Sequence, residues 1–206
     1  MGRLLIVGAP KSGGVLAAYR LSSRSFPHRK IEIIRNSAKV MPISGCEEDL
    51  RKNPHTTYTC LRIIDESSIL VANGEHLDPI CARIESGTPA HQAIVRVLAE
   101  TGPEQDIYKT PRIAGFASQT TSILGIITEK GLAVKSFPTK AGTGYYVATY
   151  EKTDPAKNLI KNLDAKSAAD AAKQIHIGPD FKHFTNEIST VAALIRDGKI
   201  EIDTFP

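Results

Sequence analysis

Leu4-Leu5-Ile6-Val7-Gly8-Ala9-Pro10-Lys11-Ser12-Gly13-Gly14-Val15-Leu16-Ala17-Ala18-Tyr19 is the stretch on which the fold turns. An apolar run followed by a glycine-rich turn with Lys and Ser invites comparison with a phosphate-binding P-loop. That loop needs Lys and then Ser or Thr directly after its second glycine, to reach phosphate and magnesium. Gly14 and Val15 occupy those places, so the P-loop reading fails. Runs 4–7 and 15–19 around a Pro/Ser/Gly cluster read instead as two strands of a hairpin.

The same pattern continues outward. Apolar runs at 31–34 and 39–43 flank Asn36-Ser37, and runs at 58–64 and 69–72 flank the acidic turn Asp65-Glu66-Ser67. No helical crossover separates them, so the sheet is expected to be largely antiparallel. Two helices follow. One runs over 75–85 and stops at Gly87; the other has Thr88 as N-cap, Pro89 at its first position and Ala93, Ile94, Val97 and Leu98 on one face. Strands resume at 112–117, 122–128, 132–137 and 145–150. Asp154-Pro155 opens a helical region with an alanine-rich helix over 165–175, a further helix over 185–196 closed by Asp197-Gly198, and a short strand at 200–203. Strands, two helices, more strands and then helices make an α+β chain, with sheet packed on sheet and helices outside. The expectation is a single domain over 1–206, in which 154–206 supplies covering helices and a short strand.

Composition narrows the function. The 206 residues are 41% hydrophobic and 23% charged, which is ordinary globular usage and argues against disorder. Lys plus Arg is 26 and Asp plus Glu is 22, a net charge of +4 that favours anionic ligands without announcing a nucleic-acid binder. No apolar run approaches the ~18 residues of a membrane span, and the first apolar run is too short for a secretory signal. A cytoplasmic location is expected. Cys46, Cys60 and Cys81 form no CxxC pair and the six histidines show no HxxxH or HExxH spacing, so neither a disulfide framework nor a metal site is expected.

The stretch 19–30 packs four cationic side chains and three serine hydroxyls into twelve residues. Guanidinium groups match phosphate geometry bidentately, and serine hydroxyls with backbone N–H groups complete an anion cradle. Asn53-Pro54 precedes a strand whose mouth carries Tyr58. Val71-Ala72-Asn73-Gly74 reads first as turn chemistry. The acidic loop 101–106 holds Glu104 and Asp106 and leads to Thr110-Pro111-Arg112, where a charge entering an apolar strand asks for a partner or an anionic ligand.

Tyr-Arg-Leu-Ser-Ser-Arg-Ser-Phe-Pro-His-Arg at 19–29 resembles the signature of the archaeal-type IMP cyclohydrolases. Three further blocks are similar in order: Asn53-Pro54 with 58–62, Asn73-Gly74, and Thr110-Pro111-Arg112-Ile113-Ala114, followed by Tyr150-Glu151. The likeness runs from Gly2 to about Pro155. It implies a four-layer αββα architecture like that of the N-terminal-nucleophile hydrolases. Their mechanism is not expected, because the chain begins Met1-Gly2 rather than with a nucleophile. The implied reaction closes 5-formamidoimidazole-4-carboxamide ribonucleotide to IMP with loss of water and requires no cofactor. The partner is then a small-molecule ribonucleotide, with no nucleic acid and no membrane; assembly into a homo-oligomer is left open.

On matching positions the resemblance implies roles. Arg20, Ser22, Ser23 and Arg24 hold phosphate or ribose, and Arg29 makes a second cationic contact. Tyr58 donates to the formyl or carboxamide oxygen, and Glu104 transfers the proton, with Asp106 as its substitute. Arg112 and Asn73 are fallback contacts to the base or oxyanion, and Asn53 shapes its loop. Two competing readings are an amide hydrolase using Cys60 and a nucleotide- or RNA-binding module. The first needs a thiolate-stabilising setting that an apolar strand lacks. The second needs stacking surfaces, and aromatics are only 6% of the chain.

Overall fold

Leu4–Ala9 (β1) and Val15–Ser22 (β2) form the expected antiparallel hairpin, with Leu4 opposite Arg20 and Gly8 opposite Leu16. The computed structural model describes residues 2–46 and 56–206. β2 is buried on both faces. Val15, Ala17, Tyr19 and Leu21 enter one apolar cluster, Leu16 and Ala18 another. A strand with two buried faces reads as a continuous apolar run, and such a strand belongs in the middle of a layered fold.

Two antiparallel sheets result. One has six strands in the order β11-β10-β1-β2-β12-β13, where β10 is Thr143–Ala148, β11 is Leu159–Lys161, β12 is Glu187–Arg196 and β13 is Lys199–Phe205. The other has seven strands in sequence order: β3 (Arg29–Ile34), β4 (Ser37–Pro42), β5 (Tyr58–Asp65), β6 (Ser68–Ala72), β7 (Arg112–Ser118), β8 (Thr121–Thr128) and β9 (Gly131–Pro138). Side chains of both sheets share the central cluster, including Leu5, Tyr19, Leu61, Val71 and Val191. Each fully buried side chain of this size contributes about 1.5–3 kcal/mol, so this contact outweighs any single hydrogen bond.

Helices Leu77–Glu85 (α1) and Ala90–Thr101 (α2) pack on the seven-stranded sheet through Leu77, Ile80, Ile94 and Leu98. Ala168–Ile177 (α3) packs on the six-stranded sheet through Ala168, Ala172 and Ile175. α2 begins one residue later than expected, with Pro89 rather than Thr88 in the N-cap position. α3 begins after Ser167, whose Oγ accepts from the Asp170 N–H at 3.1 Å. The stretch after Asp154-Pro155 is no helix; it runs through turns and the short strand β11.

The helix expected over 185–196 is the strand β12. Val191, Ala193 and Ile195 face the central cluster, and Ala192 and Leu194 face α3. Periodicity cannot separate a doubly buried strand from a helix, and pairing with β2 and β13 decided the matter. Asp197-Gly198, read as a helix stop, is a two-residue hairpin turn with φ of 51° and 75°. Positive φ at both positions is what a type I′ hairpin turn requires, and Asp-Gly is a favoured pair there.

Candidate active site

The register brings one end of both sheets together. Leu4 lies opposite both Arg20 and Ala148, so residues 2–3, 21–22 and 149–150 share an edge. In the other sheet Ala72 pairs with Ala114, so the Asn73-Gly74 turn adjoins the entry to β7. A cavity of about 500 Å³ opens there. Ser22, Ser23, Arg24, Ser25 and Phe26 form one wall; Asn73, Glu104, Asp106, Tyr108 and Thr110 form another. Gly2, Arg3, Tyr150 and Glu151 complete it.

Glu104 carries the strongest chemistry. Its carboxylate is mostly buried, and Oε2 lies 3.0 Å from Nη2 of Arg112, itself only 6% exposed. Burial pushes the Glu104 pKa above the usual carboxylate value; Arg112 and Arg3 pull it down, while Glu75 and Asp106 push it up. The outcome is a carboxylate with enhanced proton affinity facing a cavity. Gly74 permits this approach, since a Cβ there would stand 3.0 Å from Glu104 Oε1 and 3.1 Å from His76 Nδ1.

Asp106 is a different kind of acid. Its oxygens accept from the Thr110 N–H at 2.9 Å and from the Thr110 hydroxyl at 2.6 Å. Burial raises its pKa, but the Thr110 donors hold it below the usual value. The Thr110 hydroxyl spends its proton on Asp106 and so accepts from the Tyr150 hydroxyl, 2.8 Å away. Asp106 therefore orders a wall through Thr110 and Tyr150, and Glu104 is the better proton carrier of the two.

The phosphate candidates divide. Ser22, Ser23 and Arg24 line the cavity, Ser22 being buried with an Oγ that has no partner among the described residues. Ser23 Oγ accepts from the Phe26 N–H at 3.1 Å and closes the loop. Arg20 is not brought to the cavity. It projects from the opposite face of β2, donating to the carbonyls of Ile175, Phe181 and Phe184 at 3.2, 3.2 and 2.7 Å. Alternation explains this, because Tyr19 and Leu21 point to the central cluster and Arg20 must point away.

Three further candidates hold the walls. Asn73 donates to the Pro111 carbonyl at 2.9 Å and accepts from the Ile113 N–H at 2.7 Å, so its carboxamide pins β7. Tyr58 sits behind the cavity, 4% exposed, its hydroxyl 2.6 Å from that of Tyr19. Arg29 lies beside Tyr58, donates from Nε to the Phe26 carbonyl at 3.0 Å, and lines a second depression that shares Ser23 and Arg24 with the first. Burial lowers its pKa, which the Tyr58 phenol opposes. Asn53 lies outside the described residues. Cys60 is fully buried, which raises its thiol pKa, and it lines neither cavity.

Sequence reasoning missed Arg3, Thr110 and Tyr150. Burial works against the Arg3 charge, yet the phenols of Tyr58 and Tyr19 raise its pKa above the arginine norm. Its signal was the one noticed at Arg112, a cation at the mouth of an apolar strand. Tyr150 was visible only as part of the Tyr150-Glu151 likeness.

Comparison with known proteins adds the family. Residues 1–199 match the model of the "IMP cyclohydrolase-like protein" family. An IMP cyclohydrolase of Methanosphaera stadtmanae is 36% identical over 204 residues, covering 98% of this chain and 97% of that protein. IMP cyclohydrolases of Methanocaldococcus jannaschii and Methanothrix thermoacetophila are each 34% identical, over 205 and 207 residues; they cover 99% and 100% of this chain and 98% of each relative.

Proposed function

Because the chain belongs to the IMP cyclohydrolase-like family, we propose that the cavity between Glu104 and the Ser22-Ser23-Arg24 loop is where ring closure occurs. The activity is conversion of 5-formamidoimidazole-4-carboxamide ribonucleotide to IMP and water. The carboxamide nitrogen attacks the formyl carbon of the same molecule, so the chain must fold the substrate onto itself rather than gather two reactants. Ring closure forms one C–N bond; water then leaves, taking the formyl oxygen with one proton from the carboxamide nitrogen and one from the formamido nitrogen.

Glu104 takes the carboxamide proton as a carboxylate and delivers it to the developing alkoxide. The same group then moves the formamido proton to the leaving hydroxyl. A raised proton affinity suits both halves of that task, since a base near the working pH exchanges protons most efficiently. Arg3 is the cation that faces the oxyanion, backed by Tyr58 and Tyr19. Arg24, with the Ser23 and Ser25 hydroxyls, grips the phosphate, and the unpartnered Ser22 hydroxyl meets the ribose. Tyr58 and Arg29 act from behind this wall, and Asn73 and Arg112 shape it.

The observation that carries the reading is a largely buried carboxylate, held by Arg112 and raised in proton affinity by its burial, sharing one cavity with an arginine–serine loop. Helices against the outer side of each sheet support an αββα layering of the N-terminal-nucleophile-hydrolase kind in a single domain over 1–206. A cytoplasmic enzyme fits a chain in which no described helix is long and apolar enough to cross a membrane. The test is Glu104→Gln with the formylated ribonucleotide, followed by purine absorbance. Turnover should drop by about 10²–10⁴-fold while substrate still binds. Unchanged turnover removes Glu104 from the reaction.

A further inference from the structure

Behind Glu104, away from the cavity, lies a buried histidine that the reaction does not use directly. His76 is 0% exposed and stands just ahead of α1. Its Nε2 is 2.9 Å from the Ile113 carbonyl, and its Nδ1 is 3.3 Å from Nη1 of Arg112. A carbonyl only accepts, so Nε2 carries the proton and Nδ1 offers its lone pair to the guanidinium.

The arms of Arg112 are thereby divided. Nη1 is committed to His76, and Nη2 reaches Glu104 Oε2 at 3.0 Å and Glu75 Oε1 at 3.6 Å. Arg112 Nε has no partner among the described residues. A guanidinium beside a carboxylate otherwise tends to a two-pronged contact, which stabilises the anion strongly. Such a contact would make Glu104 a weak base. Held by one arm only, Glu104 keeps Oε1 over Gly74.

We propose that His76 is a positioning residue for proton transfer, restraining Arg112 so that a single arm engages Glu104. This rests on the reading that Glu104 carries the proton. Burial lowers the His76 pKa to about 3, which the Ile113 bond opposes and the Arg112 charge reinforces, so the ring stays a neutral acceptor. The charged groups that face Glu104 are Arg112 on β7, Arg3 ahead of β1, Glu75 ahead of α1 and Asp106 on its own loop, with His76 reaching it only through Arg112.

Two variants separate this role from support of the fold. His76→Gln places its amide where Nε2 was, keeping the Ile113 bond and losing the acceptor for Arg112. His76→Asn places its oxygen where Nδ1 was, keeping the acceptor and losing the Ile113 bond. In H76Q the acid limb of kcat/KM should move down by about one pH unit, a tenfold loss of proton affinity, with KM at saturating pH within about twofold. H76N should keep the wild-type limb while losing thermal stability. A limb unmoved in H76Q, or moved equally in H76N, overturns the proposal. Arg112→Lys retains the charge but drops the arm that His76 holds, and it serves if H76Q fails to fold. A lysine has no second arm to swing onto Glu104, so its limb should stay at the wild-type position, and a limb lowered by about one pH unit refutes the idea. Glu104→Gln run alongside keeps the two readings apart. If it turns over normally, the proton-transfer reading fails; if it is crippled while H76Q has a wild-type limb, only the positioning role fails.

Discussion

Glu104 and Arg112 meet at 3.0 Å across two largely buried side chains, at the point where a sheet edge turns into the cavity wall. Arg112 is the foremost group opposing the rise in the Glu104 pKa that burial causes. Arg112→Met should therefore raise that pKa further and move the acid limb of kcat/KM to higher pH, about tenfold in rate at a pH on the limb. A pH–rate profile checks this, and the shift is opposite in sign to that expected of H76Q.

Gly74 is a steric matter. A methyl at this position would stand 3.0 Å from Glu104 Oε1 and 3.3 Å from Arg112 Nη1, closer than side-chain atoms normally pack. Gly74→Ala should displace the carboxylate and lower kcat by about tenfold, with little change in substrate affinity, because misplacing a reacting group costs rate before binding. Steady-state kinetics with a binding isotherm distinguishes the two.

Arg20 and Arg24 are four residues apart and should respond in opposite ways. Arg20→Ala strips donors from three buried carbonyls and should cost about 3 kcal/mol of stability, seen as a lowered Tm. Exposed Arg24 lines the cavity, so Arg24→Ala should leave Tm in place and raise KM by about tenfold through weaker phosphate contact.

His76 also links stability to pH. Its pKa is about 3 in the folded chain against 6.5 ordinarily, so below pH 6.5 the unfolded chain binds a proton that the folded chain refuses. Stability should fall as pH drops from about 6.5 toward 3, by at most about 1.4 kcal/mol per pH unit. Denaturant unfolding across that range should show a shallower slope in H76N than in wild type.

The strands were legible because their signals are local. The 9–14 turn cluster and Asp65-Glu66-Ser67 punctuate apolar runs, and each connects the hairpin it suggested. β12 was not legible as a strand. Its run is apolar on every position that matters, and only its neighbours β2 and β13 give a reason to extend rather than coil. The Asp197-Gly198 pair held the clue, overlooked because the same residues also end helices.

Glu104, named from the acidic loop ahead of Thr110-Pro111-Arg112, and the 22–24 loop, named from the likeness at 19–29, line one cavity, whereas Arg20, named from the same likeness, faces away from it. A motif says which residues stand together along the chain and nothing about which face of a strand each occupies. Arg3, Tyr150 and His76 lie far from Glu104 in sequence and near it in space. The chain's own pattern determined hairpins, helices and a basic, hydroxyl-rich loop, since turn chemistry and alternating side chains act over a few residues. Which charges would meet, and which carboxylate would gain proton affinity, was decided only when two sheets closed face to face. Burial and electrostatic partnership are properties of assembled surfaces.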